Sequence, residues 1–252
     1  MQEDTRKGFR SIKSFVLRAG RLTKAQKNAL ENSGPRYMLD FSGKMFEIGS
    51  KGAGFLSAAL NEKRKIIAEI GFGNGDALAL MAERNRGSTY LGIEVYLPGV
   101  GNLLKLIEEK KLENIRIVKH DAVEVIEALK GRFKIDGFHI FFPDPWHKKK
   151  HNKRRIINKD FTSSLIDTLV PGGYIYAVTD WEDYGVQMQN VFSSFSTLKS
   201  PFKGFVPYGN NSQDVEKSLL PWRPETRFEN KGFRKNHSIY ESFFIKKPGK
   251  PL

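Results

Sequence analysis

The stretch Glu69-Ile70-Gly71-Phe72-Gly73-Asn74-Gly75-Asp76 joins two segments of different character. Residues 65–70 form an apolar-rich run typical of a buried strand, and residues 77–83 (ALALMAE) are typical of a helix. Ligands of open α/β sheets bind at the carboxyl ends of the strands, where glycine lets the backbone approach a ligand closely. The stretch therefore predicts a ligand-binding loop between a first strand and a first helix.

The glycine spacing narrows the class of ligand. A dinucleotide-binding loop has the pattern G-x-G-x-x-G and holds a pyrophosphate at a helix N-terminus. Here Gly71, Gly73 and Gly75 form the pattern G-x-G-x-G, bracketed by the carboxylates of Glu69 and Asp76. Because these carboxylates repel phosphate, the loop favours a ligand that has an amino group and no phosphate, and it disfavours an NAD-dependent oxidoreductase.

Strands and helices continue to alternate after this loop. Further strands are predicted at residues 89–95, 115–118, 135–142 and 174–178, with helices between them, and a last strand at 239–245. Parallel neighbouring strands need crossover connections, which helices usually supply. The sequence therefore predicts a Rossmann-like α/β fold with a largely parallel central sheet, helices on both faces and an antiparallel edge strand near the C-terminus.

The first 60 residues differ from the rest of the chain. A short helix is predicted at residues 23–32, whereas residues 41–54 are glycine-rich without a clear period, and residues 199–216 are similarly irregular. A chain of 252 residues is long enough for one large core. We therefore expect a single domain overall, with residues 1–60 as a basic N-terminal arm appended to the main α/β unit at 61–252.

Composition excludes several classes of chemistry and location. The chain has no cysteine, which excludes disulfides, a thiol nucleophile and thiolate metal sites. Its apolar runs fall short of the roughly 18 residues of a bilayer span, and no apolar stretch follows the charged start MQEDTRKGFR. We expect a protein that is neither secreted nor membrane-embedded and that works in the cytoplasm as a monomer or a homodimer.

Positive charge is concentrated in three segments. The net charge is +14, and residues 1–28, 147–155 and 222–250 contribute +6, +6 and +5, which leaves −3 for the remainder. Lys and Arg that neutralise phosphates release condensed counterions, so such segments favour a polyanionic partner. The distribution predicts binding to a nucleic acid.

Acidic residues close three successive predicted strands. Glu69 precedes the glycine loop, Glu94 ends the second strand and Asp121 ends the third. An acid in the position of Glu94 can accept hydrogen bonds from both ribose hydroxyls, and Asp121 can receive an adenine amino group. S-adenosylmethionine has a ribose, an adenine and an amino acid but no phosphate, and it therefore matches this crevice.

The fourth predicted strand ends in Phe141-Phe142-Pro143-Asp144-Pro145-Trp146. Each proline fixes its own φ and restricts the preceding residue, so Asp144 is expected to be extended and rigid. A preorganised carboxylate suits a site that aligns two reactants. The basic run at residues 147–155 follows directly, and its histidines, His147 and His151, have no neighbouring carboxylate, so no metal site is predicted.

Six motifs occur together in this chain: Glu69-x-Gly71-x-Gly73-x-Gly75, Gly92-Ile93-Glu94, His120-Asp121-Ala122, residues 141–146 with their continuation to Arg155, Thr179-Asp180-Trp181 and Thr226-Arg227-Phe228-Glu229. As a set, they resemble the bacterial tRNA (guanine-N7)-methyltransferase family of class I S-adenosylmethionine-dependent methyltransferases. The resemblance implies methyl transfer to N7 of guanine 46 in the variable loop of tRNA, which forms 7-methylguanosine.

The resemblance also implies a role for each motif residue. Asp144 is implied as the catalytic residue, at the junction of cofactor and base. The implied cofactor-binding residues are Glu69, Gly71, Gly73, Gly75, Glu94, Asp121, Ala122 and Asp144. The implied substrate-binding residues are Lys148, Asp180, Thr226, Arg227, Phe228 and Glu229. The implied RNA-binding residues are Lys150, His151, Asn152, Lys153, Arg154 and Arg155.

Chemical reasoning agrees with several of these roles and leaves alternatives open. Asp180 and Glu229 are suited to accept hydrogen bonds from N1–H and N2–H₂ of guanine, and Phe228, Trp146 or Trp181 can stack on an exposed base. A methyltransferase acting on an exocyclic amine of a nucleobase remains an alternative, because an Asp-Pro pair after the fourth strand can also accept from an amino group. A non-catalytic RNA-binding protein on the same fold is another.

Overall fold

The computed structural model describes residues 13–16, 20–41, 51–202, 206–208 and 222–248. The described helices are α1 (Lys24–Asn32), α2 (Gly34–Tyr37), α3 (Lys51–Asn61), α4 (Asp76–Arg84), α5 (Leu97–Lys110), α6 (Ala122–Leu129), α7 (Lys159–Thr168), α8 (Glu182–Ser193) and α9 (Arg227–Phe233). The described strands are β1 (Ile66–Ile70), β2 (Thr89–Ile93), β3 (Ile115–Val118), β4 (Ile135–Phe141), β5 (Leu169–Thr179), β6 (Leu198–Lys199), β7 (Val206–Tyr208) and β8 (Ile239–Lys246). A 3₁₀ helix spans Lys149–Arg154.

The strands form one mixed sheet in the order β3-β2-β1-β4-β5-β8-β6. The first five are parallel, and β8 is antiparallel to β5. The short strands β6 and β7 pair with β8 and extend the antiparallel edge. The predicted Rossmann-like α/β fold with a largely parallel sheet and an antiparallel C-terminal edge is confirmed.

Helices cover both faces of the sheet. Successive residues of its central strands point to opposite faces, and apolar residues occur on both. On one face, Ile66 and Ala68 of β1 belong to a core that includes Phe161 of α7 and Met188 of α8. On the other face, Ile67 packs in a core with residues of α4 and α5. Glu69 occupies the next position on the α4–α5 face, so β1 delivers a carboxylate to the carboxyl edge of the sheet.

Two predicted segments differ from the structure. The fifth strand begins at Leu169, earlier than the predicted residue 174, since Leu169 pairs with Ile135 of β4 before a shift in register, and regular pairing resumes at Tyr174. Residues 51–54 were predicted to be irregular but belong to α3, where Leu56 and Ala59 are buried against the sheet. The rest of the irregular 41–54 stretch, residues 42–50, lies outside the described residues, as does most of the 199–216 stretch.

The N-terminal helix is confirmed at α1, where Thr23 forms a capping box with Gln26. The side chain of Gln26 also donates to the backbone oxygen of Pro98, which joins α1 to the start of α5. Among the described helices, none is long and apolar enough to cross a membrane.

Candidate active site

A cavity of about 540 Å³ opens at the carboxyl ends of β1, β2, β3 and β4. Its wall is built from the glycine loop, the residues that follow β2 and β3, the segment that follows β4, part of α9 and residues 14–16. Every predicted cofactor-binding residue lines it: Glu69, Gly71, Gly73, Gly75, Glu94, Asp121, Ala122 and Asp144.

The glycine loop is fastened to the end of β2 by Glu94. Gly73 donates its backbone N–H to Oε2 of Glu94 at 2.8 Å, and the backbone N–H groups of Val95 and Tyr96 donate to Oε1 at 2.7 and 2.9 Å. Gly73 and Gly75 both have positive φ, and a Cβ at Gly75 would lie 2.7 Å from Cβ of Leu103. The loop therefore needs glycine for its conformation and for the close approach of α5.

Glu69 is an acidic group with unsatisfied bonding capacity. Its side chain is buried, and Oε2 has no hydrogen-bond partner within the described part of the chain. Burial, and then the charge of Glu94, raise the pKa of Glu69 to about 8. A buried, unpaired acceptor on a residue that lines a cavity fits a ligand that brings a hydrogen-bond donor or a positive charge.

The pKa of Glu94 is also raised, because burial outweighs the three backbone hydrogen bonds that favour its ionised form. The charge of Asp144 raises it further. Glu94, which follows β2, and Asp144, in the segment after β4, therefore face the same space.

Asp121 has two structural partners. Its Oδ1 accepts the backbone N–H of Val123 at 3.1 Å and so caps α6. Its Oδ2 accepts from Nζ of Lys13 at 2.8 Å, and the same ammonium group lies 3.0 Å from Oε1 of Glu124. Asp121 thus connects the cavity to a residue that lies before the first helix.

The segment after β4 has an unusual backbone. Phe142 and Trp146 have φ values of 51° and 46°, a region that non-glycine residues seldom occupy. Phe142 keeps its pairing to the sheet, since its N–H donates to the backbone oxygen of Val178 at 2.8 Å. Between these two residues Asp144 is exposed and lines the cavity. Asp144 thus lies between two residues whose backbones occupy sparsely populated conformations, and its rigidity stays a prediction.

Aromatic rings stand at the mouth of the cavity. The ring of Phe228 on α9 stacks on Phe142 with centroids 6.3 Å apart and planes within 20°. Phe228 is 56% exposed, which is unusual for a phenylalanine. Thr226, Arg227 and Lys231 line the cavity beside it, and Arg227 also pairs with Asp76 at 3.3 Å.

Glu229 is not available to a base, contrary to the prediction. Its carboxylate is 1% exposed and accepts from both Nη1 and Nη2 of Arg223, at 2.7 and 2.9 Å. It also completes a capping box with Thr226 at the start of α9. Glu229 therefore fixes α9, which presents Phe228 and Arg227, and the hydroxyl of Thr226 serves the same cap.

Two other predicted substrate residues lie outside the cavity wall. Asp180 follows β5, and its Oδ2 lies 3.4 Å from Nδ1 of His237. Lys148 is exposed at the start of the 3₁₀ helix. The structure thus places Thr226, Arg227 and Phe228 in the cavity wall, and Asp180 and Lys148 are not part of that wall.

The basic run divides into outward and inward residues. Lys150 and Lys153 are exposed. The ring of His151 lies edge-on to Trp146, with centroids 6.0 Å apart. With its amide nitrogen oriented toward the backbone oxygens of Trp146 and Lys148, which is the orientation that satisfies both ends of the amide, Asn152 donates to both of them.

Arg155 corrects the prediction of an RNA-binding residue. Its side chain is 1% exposed, and it donates to the backbone oxygen of Pro145, to Gln187 Oε1 and to Asp183 Oδ2 at 2.8, 2.7 and 2.6 Å. A phosphate cannot reach a guanidinium that is enclosed in this way. Arg155 therefore anchors the segment after β4 to α8.

Arg154 also turns toward the protein. Its Nε and Nη2 donate to the backbone oxygens of Lys13 and Phe15, and its guanidinium lies over the ring of Trp146. Sequence reasoning missed the contribution of residues 14–16 to the cavity wall, and no local pattern marks Lys13 as a partner of Asp121. Within the described ranges no cluster of residues that could hold a metal ion is present.

Known proteins resemble the chain at the levels of sequence and fold. A family model described as "Putative methyltransferase" matches residues 63–242. A tRNA (guanine-N(7)-)-methyltransferase from Dechloromonas aromatica is 41% identical over 245 residues, which cover 97% of this chain and 92% of that protein. Proteins of the same name from Neisseria meningitidis and Chromobacterium violaceum are 43% and 40% identical over 93% and 94% of this chain, and over 91% and 97% of their own lengths.

A solved structure shows the same fold. The 16S rRNA methyltransferase KamB aligns with a TM-score of 0.56 over 83% of this chain and 95% of its own, at 11% identity. At that identity the likeness concerns the arrangement of strands and helices.

Proposed function

The chain belongs to the tRNA (guanine-N7)-methyltransferase family, and we propose that it methylates N7 of guanine 46 in the variable loop of tRNA. It is an enzyme that uses S-adenosylmethionine as the methyl donor and guanine N7 in tRNA as the acceptor. We also propose that it works in the cytoplasm, because its substrate is tRNA and a chain without cysteine suits a reducing compartment.

The observation that supports the cofactor assignment is the unpaired Oε2 of Glu69 in a cavity lined by carboxylates. The amino group of S-adenosylmethionine would satisfy this oxygen. Glu94 lies where an acid receives ribose hydroxyls, and Asp121 lies where an acid receives an adenine amino group. The residues present therefore fit this cofactor, and they would oppose one that carries phosphate.

When bound, S-adenosylmethionine supplies an electrophilic methyl group. The chain's own task is then alignment, because guanine N7 already carries a lone pair in the plane of the ring and needs no strong base. We assign Asp144 to electrostatic positioning: its fixed carboxylate stabilises the base as the base gains positive charge. Phe142 and Phe228 form an aromatic surface on which the extruded guanine stacks, and they exclude water from it.

The remaining assignments concern recognition of the base and the RNA. Asp180 accepts from the N1–H and N2–H₂ donors of guanine, a donor pair that adenine lacks. Lys148 acts near the base, and Lys150 and Lys153 contact phosphates. The exposure of these lysines, which follow the cavity-lining residues 142–144 in the chain, supports their roles. Glu229 and Arg155 are excluded from such roles by burial.

The test is mass spectrometry of nucleosides from unmodified tRNA incubated with the enzyme and S-adenosylmethionine. We expect about one 7-methylguanosine per tRNA, and none when guanine 46 is replaced by adenine. Methylation at an exocyclic amine, or 7-methylguanosine in both transcripts, would overturn the proposal. Calorimetry with S-adenosylhomocysteine in the absence of tRNA tests the cofactor site independently of turnover.

A further inference from the structure

Residues 13–16, here called the strap, reach the cavity from before the first helix. Ser14, Phe15 and Val16 line the cavity beside Asp121 and Asp144. The strap is neither helix nor strand. Its place is therefore fixed by side chains from elsewhere in the fold, because a segment without helical or strand hydrogen bonds needs other contacts to offset its loss of conformational entropy.

Two residues that follow β4 in the chain, Trp146 and Arg154, bind the backbone of the strap. Trp146 donates its indole Nε1–H to the carbonyl oxygen of Ser14 at 3.0 Å. Arg154 donates from Nε to the carbonyl oxygen of Lys13 at 3.0 Å and from Nη2 to that of Phe15 at 3.1 Å. Three consecutive carbonyls are thereby held by two side chains.

The two side chains also support each other. The guanidinium carbon of Arg154 lies 3.8 Å from the ring centroid of Trp146, in a stacked cation–π arrangement. Trp146 itself stands at the end of the segment that carries Asp144. The strap, the indole and the carboxylate of Asp144 are consequently coupled through one short stretch of chain.

At its start the strap touches the opposite side of the cavity. Nζ of Lys13 pairs with Asp121 at 2.8 Å and with Glu124 at 3.0 Å. Hydrogen bonds to these carboxylates raise the pKa of Lys13. The ammonium group is therefore charged at neutral pH, and it orients the carboxylate assigned to the adenine.

We infer that Trp146 and Arg154 are positioning residues that hold the strap across the cavity, so that Lys13 and Phe15 complete the cofactor site around Asp121. The inference rests on the proposed function, since it takes Asp121 as the residue that receives adenine. It gives Arg154 a role different from the phosphate contact predicted from its charge. Cofactor affinity, rather than RNA affinity, is then what Arg154 controls.

Conservative variants separate the two roles of Arg154. Arg154→Lys keeps the positive charge, which a phosphate contact requires, but an ammonium cannot reproduce the planar fork that reaches two carbonyls. Trp146→Phe keeps an aromatic ring and removes the indole N–H. Lys105→Ala is a matched surface control, because Lys105 lies on α5 and pairs with Glu109 away from the cavity.

The experiment measures the strap and the site separately. The chain has no native cysteine, so a spin label on Val16→Cys reports strap mobility by electron paramagnetic resonance without background. Val16 is 51% exposed, which leaves room for the label. Calorimetry of S-adenosylhomocysteine binding is performed on the unlabelled proteins, and their folding is compared by circular dichroism.

We expect a more mobile label and an affinity about 3- to 10-fold weaker in both Arg154→Lys and Trp146→Phe, with no change in Lys105→Ala. The salt dependence of tRNA binding should be the same in Arg154→Lys as in the wild type. An immobile label in both variants would overturn the proposal that Trp146 and Arg154 hold the strap. A mobile label with unchanged affinity would overturn the role of the strap in the cofactor site. Failure of the wild type to bind S-adenosylhomocysteine would instead contradict the proposed function.

Discussion

The backbone N–H of Gly73 donates to Oε2 of Glu94 at 2.8 Å, and this bond connects the glycine loop to the end of β2. The same carboxylate also receives the N–H groups of Val95 and Tyr96. Glu94 therefore has a structural task as well as its proposed task of binding the ribose. Any change of this side chain should disturb the loop before a ligand arrives.

Glu94→Gln should weaken S-adenosylhomocysteine binding by at least about tenfold, because a neutral amide offers one acceptor oxygen where the carboxylate offers two. Calorimetry measures the affinity. Glu83→Gln is the control, since Glu83 pairs with Lys110 at 2.6 Å away from the cavity. Equal affinity in wild type and Glu94→Gln would contradict the assignment of Glu94 to the ribose.

The pKa of Glu69 gives a prediction for stability. Its folded-state value of about 8 lies above the ordinary value of 4.5, so the protonated carboxyl is favoured in the fold. The stability associated with Glu69 is thus fully present below about pH 4.5 and is lost as pH rises through about 8. Relative to Glu69→Gln, the free energy of unfolding of the wild type should fall between about pH 5 and pH 9.

Denaturant unfolding at several pH values, without cofactor, checks this prediction. Comparison with the Gln variant cancels the other groups, including Glu94 and Tyr90, whose pKa values are also raised first by burial. Binding of a ligand with a positive amino group should ionise Glu69, so calorimetry near neutral pH should detect proton release that Glu69→Gln lacks. Parallel pH profiles for the two proteins would show that Glu69 is ionised in the fold.

Local patterns in the sequence were enough to place the cofactor loop. The acids Glu69, Glu94 and Asp121 follow successive parallel strands, and parallel strands end at the same edge of a sheet. Periodicity and glycine spacing are local properties, so they could be recognised without knowledge of the fold. The largely parallel sheet and the capping of α6 by Asp121 were predictable for the same reason.

Burial of charged residues could not be predicted in this way. Arg155 and Arg154 are adjacent in a basic run, yet one is enclosed against α8 and the other lies over Trp146. Glu229 has the charge of an acid that could bind a base, but its carboxylate is already paired with Arg223. These outcomes depend on partners that are distant in sequence or belong to another element, which no spacing rule identifies. The strap was missed because its partners, Trp146 and Asp121, lie 132 and 108 residues from the strap residues they bind.

Asp144→Asn should lower the rate of methyl transfer by roughly 10²–10³, the scale seen when one preorganised electrostatic group is removed. The affinity for S-adenosylhomocysteine should change much less, because the charge acts on the base as the base becomes positive. Single-turnover assays at saturating tRNA and cofactor isolate this step. A rate within a few-fold of the wild type would show that Asp144 contributes only shape.

The basic run yields a prediction that distinguishes surface from buried cations. Lys150→Ala combined with Lys153→Ala should weaken tRNA binding and flatten its log–log salt dependence by up to about 2 units, one for each phosphate that is no longer neutralised. Methyl transfer at saturating tRNA should persist. Arg155→Lys should leave the salt slope unchanged and lower the free energy of unfolding by about 1–3 kcal/mol, because lysine cannot satisfy Pro145, Gln187 and Asp183 together.

Salt titrations of tRNA binding and denaturant unfolding, performed on both variants, test this distinction. Arg36→Ala serves as the surface control for stability, because Arg36 makes an exposed ion pair with Glu113, and exposed pairs are worth about 0–1 kcal/mol. If the double lysine variant kept the wild-type salt slope, these lysines would be solvated charges without an RNA role. A charge that is enclosed against α8 cannot release counterions from a phosphate. If Arg155→Lys changed the salt dependence of tRNA binding and kept full stability, the guanidinium of the wild type would therefore have to leave its buried site to contact RNA.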